Sequence, residues 1–312
     1  MKITIVGGGT SGWFVAGWLS KFYKHNISLV ESANVKKIGV GESVTPHIQR
    51  YFDLLEIDTK DLMLKTGATY KFANKFSNWT KRCDYKYFGF NNINCTSEFT
   101  NPNFDFSKLF EKENPPNQTD VLLKLFNREK IKNWDSCFFE HYSYMEGNTS
   151  PFNEDQYLCS PFYTQSLHIN AELTADYVRD TVAIPNGVKH VIGDVVDIKT
   201  NNKNIDSIKL STGEILEADL FIDCTGFKGL LVNKLGLERI NYTDNLIDSA
   251  WVCQLDYKDQ QENLMVNYTE SIAQPHGWMF KIGLYHRLGS GYCFSSKHIS
   301  KEDALTEFQS MI

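Results

Sequence analysis

Three glycines, Gly7, Gly9 and Gly12, stand in the spacing G-x-G-x-x-G near the N-terminus, and a carboxylate, Glu31, follows 19 residues after the last of them. In that spacing the first glycine permits a tight turn, the second lets the backbone approach a pyrophosphate, and the third allows close helix-strand packing. Phosphate is then held at a helix N-terminus by free amides and the dipole. Thr10 and Ser11, between the last two glycines, belong to the same cradle, and Glu31 can accept hydrogen bonds from a ribose diol. A tight turn with an incidental terminal glutamate is the plainer alternative. The loop alone does not separate NAD from FAD, which share the adenosine diphosphate half. A second glycine-rich turn, Gly39-Val40-Gly41-Glu42-Ser43-Val44-Thr45-Pro46, lies at a distance that suits the remote half of an extended cofactor, so FAD fits better than NAD. On spacing alone, this segment also reads as a surface turn before a helix capped by Ser43 or Thr45.

Lys75 sits in the run Asn74-Lys75-Phe76-Ser77-Asn78-Trp79, with Phe72 upstream. If these aromatics share a face with it, the ammonium is partly desolvated and its pKa falls from about 10.4. A snorkelling surface lysine is the alternative. Lys71 lies a turn or more away from this run and is not counted. Leu167-His168-Ile169-Asn170 reads as structural, orienting the helix that follows. The eight histidines show no metal-ligand spacing and no acidic cluster beside them, so no metal site is expected. No G-x-S-x-G elbow occurs, which removes the commonest serine hydrolase signature.

The elements that must position these groups can be read from periodicity. Lys2 to Val6 is a β-rich run, the glycine loop leads into apolar residues at helical spacing, and Ile27 to Val30 is a second strand ending at Glu31. This is a β-α-β unit with a right-handed crossover, and the sheet it starts is expected to be doubly wound or similar. Residues from Asn91 to about Pro116 are loop-like and Val121 to Trp134 is amphipathic, together an insertion. Ile169 to Val182 reads as helix. Strands are expected at Val188–Ile192, Val195–Thr200, Ile205–Ser211 and Ile215–Leu216, and Leu220–Ile222 reads as a buried strand that returns to the first sheet. Asp248–Asp256, Met265–Ile272 and Gly277–Ser295 alternate as antiparallel strands.

Length and composition fit this picture. The 312 residues are ample for one large domain or two linked ones. The apolar fraction of 42% and charged fraction of 22% belong to an ordered globular chain, and a net charge of −6 argues against nucleic acid as the main ligand. No apolar run is long enough to span a bilayer and no signal peptide is visible, so no membrane association and a cytoplasmic protein are expected. The seven scattered cysteines include no C-x-x-C and indicate neither a disulfide framework nor zinc.

GGGTSGW, GVGES, KFSNW, ADLFIDCTGFKGLL and HGWMFKIGLYHRLGSGYCFSS occur in this order on one chain, which resembles the flavin-dependent tryptophan halogenase family over nearly its whole length. The resemblance implies an α/β, Rossmann-like FAD-binding fold of the glutathione reductase/hydroxylase type, with an added mixed β/α substrate module. It suggests residues 1–90 and 150–235 for the FAD domain, 91–149 for an insertion, and 236–312 for the start of the substrate module. Ala218 to Leu231 would lie against the flavin, which brings in Gly226, and Val196 is counted with the same cofactor set. FAD would be used as FADH2, supplied by a separate flavin reductase. With oxygen and halide ion it would yield hypohalous acid, which reaches a lysine beside a small aromatic, indole-like substrate. The motif's lysine is assigned to Lys75, acting either as an ammonium that hydrogen-bonds the acid or as an amine that carries the halogen.

The family's tunnel motif W-x-W-x-I-P corresponds to Trp278, Phe280, Ile282 and Gly283, with the second Trp replaced by Phe and the Pro by Gly. Phe lacks the indole N–H, and Gly lacks the fixed φ of proline, so a looser, reshaped segment is expected. That departure keeps open a flavin-dependent aromatic monooxygenase, and beside it a catalytically inactive flavin-binding protein. Leu305, Phe308 and Met311 show helical spacing up to the last residue. The family's partner glutamate and halide site are therefore expected beyond Ile312. Symmetry statistics favour a homodimer.

Overall fold

A computed structural model describes residues 1–35, 39–81, 83–90, 142–148, 152–153, 156–157, 165–201, 204–238, 240, 242, 245–257 and 265–312. Along the chain come β1 (Lys2–Val6), α1 (Thr10–Phe22), β2 (Asn26–Glu31), β3 (Glu42–Ser43), α2 (His47–Leu54), α3 (Thr59–Thr66), β4 (Thr69–Lys71), β5 (Ala73–Thr80) and β6 (Cys83–Gly89). Next are α4 (Tyr142–Gly147), β7 (Phe152–Asn153), β8 (Gln156–Tyr157), β9 (Ser166–Ile169), α5 (Ala171–Val178), β10 (Lys189–Ile192), β11 (Val195–Asn201), β12 (Asn204–Leu210), β13 (Ile215–Glu217) and β14 (Leu220–Asp223). The remainder holds α6 (Leu230–Lys234), β15 (Ser249–Asp256), β16 (Tyr268–Gln274), β17 (Gly277–Gly283), β18 (Arg287–Phe294) and α7 (Lys301–Gln309). The amphipathic stretch Val121–Trp134 lies outside the described residues.

Two compact units emerge. The first comprises Met1–Val40, Phe52–Gly67 and Asn170–Asn245. Its four-stranded parallel sheet runs β10-β2-β1-β14. On one face Ile3, Ile5, Ile27 and Leu29 pack with Trp13 and Ala16 of α1 and Ala175 of α5, the apolar period of two on the strands meeting that of 3.6 on the helices. Each fully buried Ile or Leu contributes about 1.5–3 kcal/mol by leaving water. On the other face Val6, Val30 and Val191 pack with Ile208 and Leu210 of the antiparallel sheet β11-β12-β13. One face is thus covered by helices and the other by a β-meander, a variant of the expected doubly wound or similar sheet in which strands replace the helices of one face. Leu220–Asp223 does return beside β1, but as an edge strand it is half-exposed rather than buried. The expected helix Ile169–Val182 is α5 continued by a π-turn over Arg179–Ala183.

The second unit comprises Gly41–Tyr51, Ala68–Ile169 and Leu246–Ile312. Its main sheet runs β15-β18-β17-β16-β5-β6, with β5 parallel to β16 and the other pairs antiparallel. A small antiparallel sheet, β3-β9-β4, brings the second glycine-rich turn beside Thr69–Lys71. Met279, Tyr292 and Phe294 pack on Ala304 and Phe308 of α7, which Ser300 caps through Asp303 N. The expected grouping placed residues 41–51 and 68–90 with the N-terminal domain. Here they pack with the C-terminal strands, because the parallel β5–β16 ladder and β3–β9–β4 hold them there.

Candidate functional site: a glycine cradle and a buried lysine

In the first unit, Gly7 has φ +117, a backbone region that L side chains rarely adopt, and a Cβ there would lie 2.2 Å from the Cys224 carbonyl oxygen. A Cβ on Gly12 would lie 1.9 Å from Gly7 O, so α1 presses onto the loop as the motif requires. Gly9 is the N-cap of α1 without any side-chain cap, and a Cβ built on it meets no atom within 4 Å. Uncapped amides at Thr10, Ser11 and Gly12 beneath open space fit a pyrophosphate. Glu31 ends β2 with its carboxylate against Gly8, and its Oε2 accepts from His190 Nε2 at 2.8 Å. A carboxylate has about four lone-pair sites, so capacity for a ribose diol remains.

Gly226 joins this group, since Cys224 and Thr225 flank Gly7. The turn is tied by Asp223, whose carboxylate accepts from Thr225 N, Thr225 Oγ1, Leu231 N and Val232 N at 2.6–3.0 Å. Burial pushes its pKa up, but the bonds from Thr225, Val232 and Leu231 outweigh that and hold it below the ordinary carboxylate value. Val196 lies 59% exposed on β11, two residues after Asp194, which accepts from Ser32 Oγ and Asn34 Nδ2 just beyond Glu31. Asn170 is the N-cap of α5 and accepts from Leu173 N at 3.2 Å, so the expected orienting role of Leu167–Asn170 has a physical basis.

In the second unit, strand alternation sorts the two lysines. Phe280 is in register with Ser271, and Ser271 with Phe76, so these side chains share one face of the main sheet with Trp278, Ile282 and Thr269. Lys75 is in register with Glu270 and Tyr87 and projects from the opposite face. There its Nζ lies 4.4 Å, 5.8 Å and 5.1 Å from the ring centroids of Tyr85, Tyr87 and Tyr268. Of the aromatics expected to share its face, Phe76 is turned to the other one by the period of two, whereas Phe72 packs with Tyr87 and Tyr268 on the Lys75 side. Neither does the fold bring Lys75 to Trp278, Phe280 and Ile282.

Lys71, set aside on spacing, is the lysine enclosed by the fold. It is 3% exposed. Its Nζ donates to Ser43 Oγ and, at 3.5 Å, to Val44 O, and lies 4.5 Å above the Phe90 ring. Ser43 Oγ is 2.8 Å from Thr269 Oγ1, on the aromatic-bearing face. Burial without a carboxylate partner among the described residues lowers the ammonium to about 8. Glu42, beside Ser43, is raised by burial. A Cβ built on Gly41 (φ +125) would lie 3.4–3.5 Å from Ile282 and Leu284, so the second glycine turn runs close by the end of β17. Trp278 and Phe280 stand 6.0 Å apart, and Gly283 closes β17 in register with Leu288, its carbonyl accepting from Thr69 Oγ1 at 2.5 Å. The sequence signal for Lys71 is faint: a lone lysine in a three-residue strand between aromatics.

A parallel sheet with a glycine cradle and a meander on its far face is the architecture of dinucleotide-binding α/β proteins, and the second unit adds a buried lysine. A family model for tryptophan halogenase matches residues 2–312, and the chain belongs to that family. Tryptophan 7-halogenase RebH of Lentzea aerocolonigenes is 32% identical over 319 residues, covering 99% of this chain and 58% of RebH. Tryptophan 6-halogenase ThaL of Streptomyces albogriseolus is 30% identical, covering 99% and 58%. Among solved structures, Tar14, a tryptophan C-6 flavin-dependent halogenase from taromycin biosynthesis, matches with a TM-score of 0.80 at 29% identity, over 98% of this chain and 59% of its own. The fold is therefore the expected Rossmann-like FAD-binding one. The chain spans about 58% of the length of these curated relatives.

Proposed function

We propose that this protein is a flavin-dependent halogenase of an aromatic, indole-like substrate, with Lys71 as the lysine that handles the halogen. The supporting observation is the burial of Lys71 on the side of the sheet that carries Trp278, Phe280 and Ile282. FAD would be held by the Gly7–Gly12 loop, with Thr10 and Ser11, and by Glu31; when bound and reduced by a separate reductase it would give two electrons to oxygen, and oxygen would take two more from halide as hypohalous acid and water form. Lys71 then orients the acid by an ammonium hydrogen bond, or as free amine takes the halogen and passes it to the ring. With its pKa brought to about 8, both protonation states are populated near neutrality. Lys75, held among three tyrosine rings, would stiffen the β5–β6–β16 face.

The test incubates the full-length protein with a flavin reductase, halide and an indole, and follows products by mass spectrometry. Lys71→Met should lower turnover by about 10²–10⁴-fold with FAD binding unchanged, and Lys75→Ala should keep most of it. The reverse pattern would return the role to Lys75. A second reading, oxygen insertion by a flavin monooxygenase, draws on Phe280 and Gly283 in the aromatic strand. Hydroxylated indole as the sole product would establish it instead.

A further inference from the structure

Thr69, Ser43, Thr269 and His168 come from four separate segments and meet around Lys71; of them the sequence singled out Ser43, for the cofactor turn, and His168, as structural. Their contacts run in a line. Lys71 Nζ reaches Ser43 Oγ; Ser43 Oγ lies 2.8 Å from Thr269 Oγ1; Thr269 Oγ1 lies 2.9 Å from His168 Nε2; His168 Nδ1 lies 3.2 Å from Thr69 Oγ1; and Thr69 Oγ1 lies 2.5 Å from the Gly283 carbonyl. His168 is fully buried, and Thr69, Lys71 and Thr269 are nearly so.

The far end sets the direction of every bond. A carbonyl only accepts, so Thr69 spends its one hydroxyl proton on Gly283 O. Towards Thr69, His168 Nδ1 must therefore be the donor. His168 is enclosed and faces Lys71; burial first, then the charge of an ammonium there, drive its pKa down to about 3 against the opposing pull of the Gly283 backbone carbonyl, which favours a ring N–H. A neutral imidazole carries one N–H, so Nε2 is an acceptor and Thr269 donates to it. Ser43 must then donate to Thr269, and only the lone pairs of Ser43 Oγ remain for Lys71.

We propose that Ser43, Thr269, His168 and Thr69 form a one-way hydrogen-bond chain, anchored at the Gly283 carbonyl, that makes them positioning residues for Lys71. The chain obliges Lys71 to give a hydrogen to Ser43 whether it is an ammonium or a free amine. Its remaining hydrogens, or its lone pair, then point away from Ser43 in the same sense in both states. An amine that exchanges partners between protonation states would need to rotate during turnover; this one does not. The chain also links Lys71 to the last residue of the strand that carries Trp278 and Phe280. The assignment rests on the reading of Lys71 as the halogen-handling lysine.

The decisive variant is Thr269→Val, which keeps the shape and removes the hydroxyl, with Thr269→Ser as the conservative control. Without Thr269, the Ser43 proton is free to turn and donate to the amine lone pair, which favours the neutral form. The first readout is the protonation midpoint of Lys71, obtained by competitive acetylation with acetic anhydride across pH and peptide mass spectrometry on the full-length protein. Titratable groups on the elements packed around it are Glu42 on β3, His168 on β9 and Glu270 on β16, all unchanged by these substitutions. Thr269→Val should lower the midpoint by about half a unit or more, and Thr269→Ser should restore it. Halogenation should follow, with kcat reduced in Thr269→Val, KM for the indole little changed, and kcat recovered in Thr269→Ser. A midpoint equal to wild type in folded Thr269→Val, or no recovery with serine, would overturn the chain. If Thr269→Val does not fold, Ser43→Ala removes the acceptor next to Lys71 and should also lower the midpoint, an unchanged value being the contrary result. Labelling needs no turnover, so it judges the chain even if Lys71→Met leaves halogenation intact and the reading of Lys71 itself fails.

Discussion

Lys71 and Lys75 are four residues apart and differ in what surrounds them. Lys75 Nζ lies over the faces of three tyrosines, whose ring quadrupoles attract a cation. Lys71 is enclosed by hydroxyls and carbonyls without a carboxylate among the described residues, so burial disfavours its charged form. A lysine whose folded pKa lies below its unfolded value costs stability at all pH values below the folded pKa, and the cost fades as pH rises towards the unfolded value. With values of about 8 and 10.5, the cost is complete at pH 7 and gone above about 10.5. Lys71→Met should therefore raise the melting temperature at pH 7, by up to about 3 kcal/mol equivalent before the lost Ser43 bond is counted, and the gain should shrink by pH 10. Thermal unfolding of wild type and variant at both pH values measures it. A residue that weakens the fold and is nonetheless buried is what a reactive amine requires.

At the scale of elements, two polar anchors hold the segments that carry the candidate sites. Asn170 caps α5 with a neutral acceptor. Asn170→Ala should cost about 1 kcal/mol in a denaturant titration, while Asn170→Asp should keep the cap and gain slightly from the helix dipole. Asp223 gathers four donors at the turn into α6. Its carboxyl is held below the ordinary value, so its contribution is present above that value and is lost as pH falls through the folded pKa. Asp223→Ala should lower stability at neutral pH by about 1–3 kcal/mol, and by less once the pH falls below the ordinary carboxylate range. Of the two, only Asn170 was read from sequence, within a segment orienting the helix that follows; which backbone amides each takes required the turn geometry.

At the scale of the whole molecule, the first unit offers the ligand-linked behaviour of a dinucleotide protein. Ligand binding to the folded chain alone should add about 2.7 kcal/mol at one hundred times Kd, seen as an FAD-dependent rise in melting temperature. Gly9→Ala isolates the role of the loop: its Cβ meets no protein atom and its φ of −77 suits alanine, so the apo protein should melt as wild type does. The new methyl occupies the space a pyrophosphate needs, and FAD affinity should fall by about tenfold or more in a fluorescence titration. No helix among the described residues is long and apolar enough to cross a membrane, and no group of three or more metal-binding side chains appears among them.

What the sequence by itself determined is what contiguity can carry. The loop Gly7–Gly12, its strand and its helix are neighbours along the chain, so type and spacing alone specified the cradle and the carboxylate beside it. The strands from Val188 onward were legible for the same reason, each being a short alternating run with a turn after it. Tertiary structure decided the lysine. Whether Lys71 or Lys75 is enclosed depends on which face of a strand each occupies and on which partners arrive from positions 43, 168, 269 and 283. Local pattern holds no information about that, because the register of β5 on β16 and of β4 on β9 is set by pairings across 99 residues and more. The covering of the first sheet by a β-meander on one face was decided at the same level, since only packing against Val6, Val30 and Val191 fixes where those strands lie.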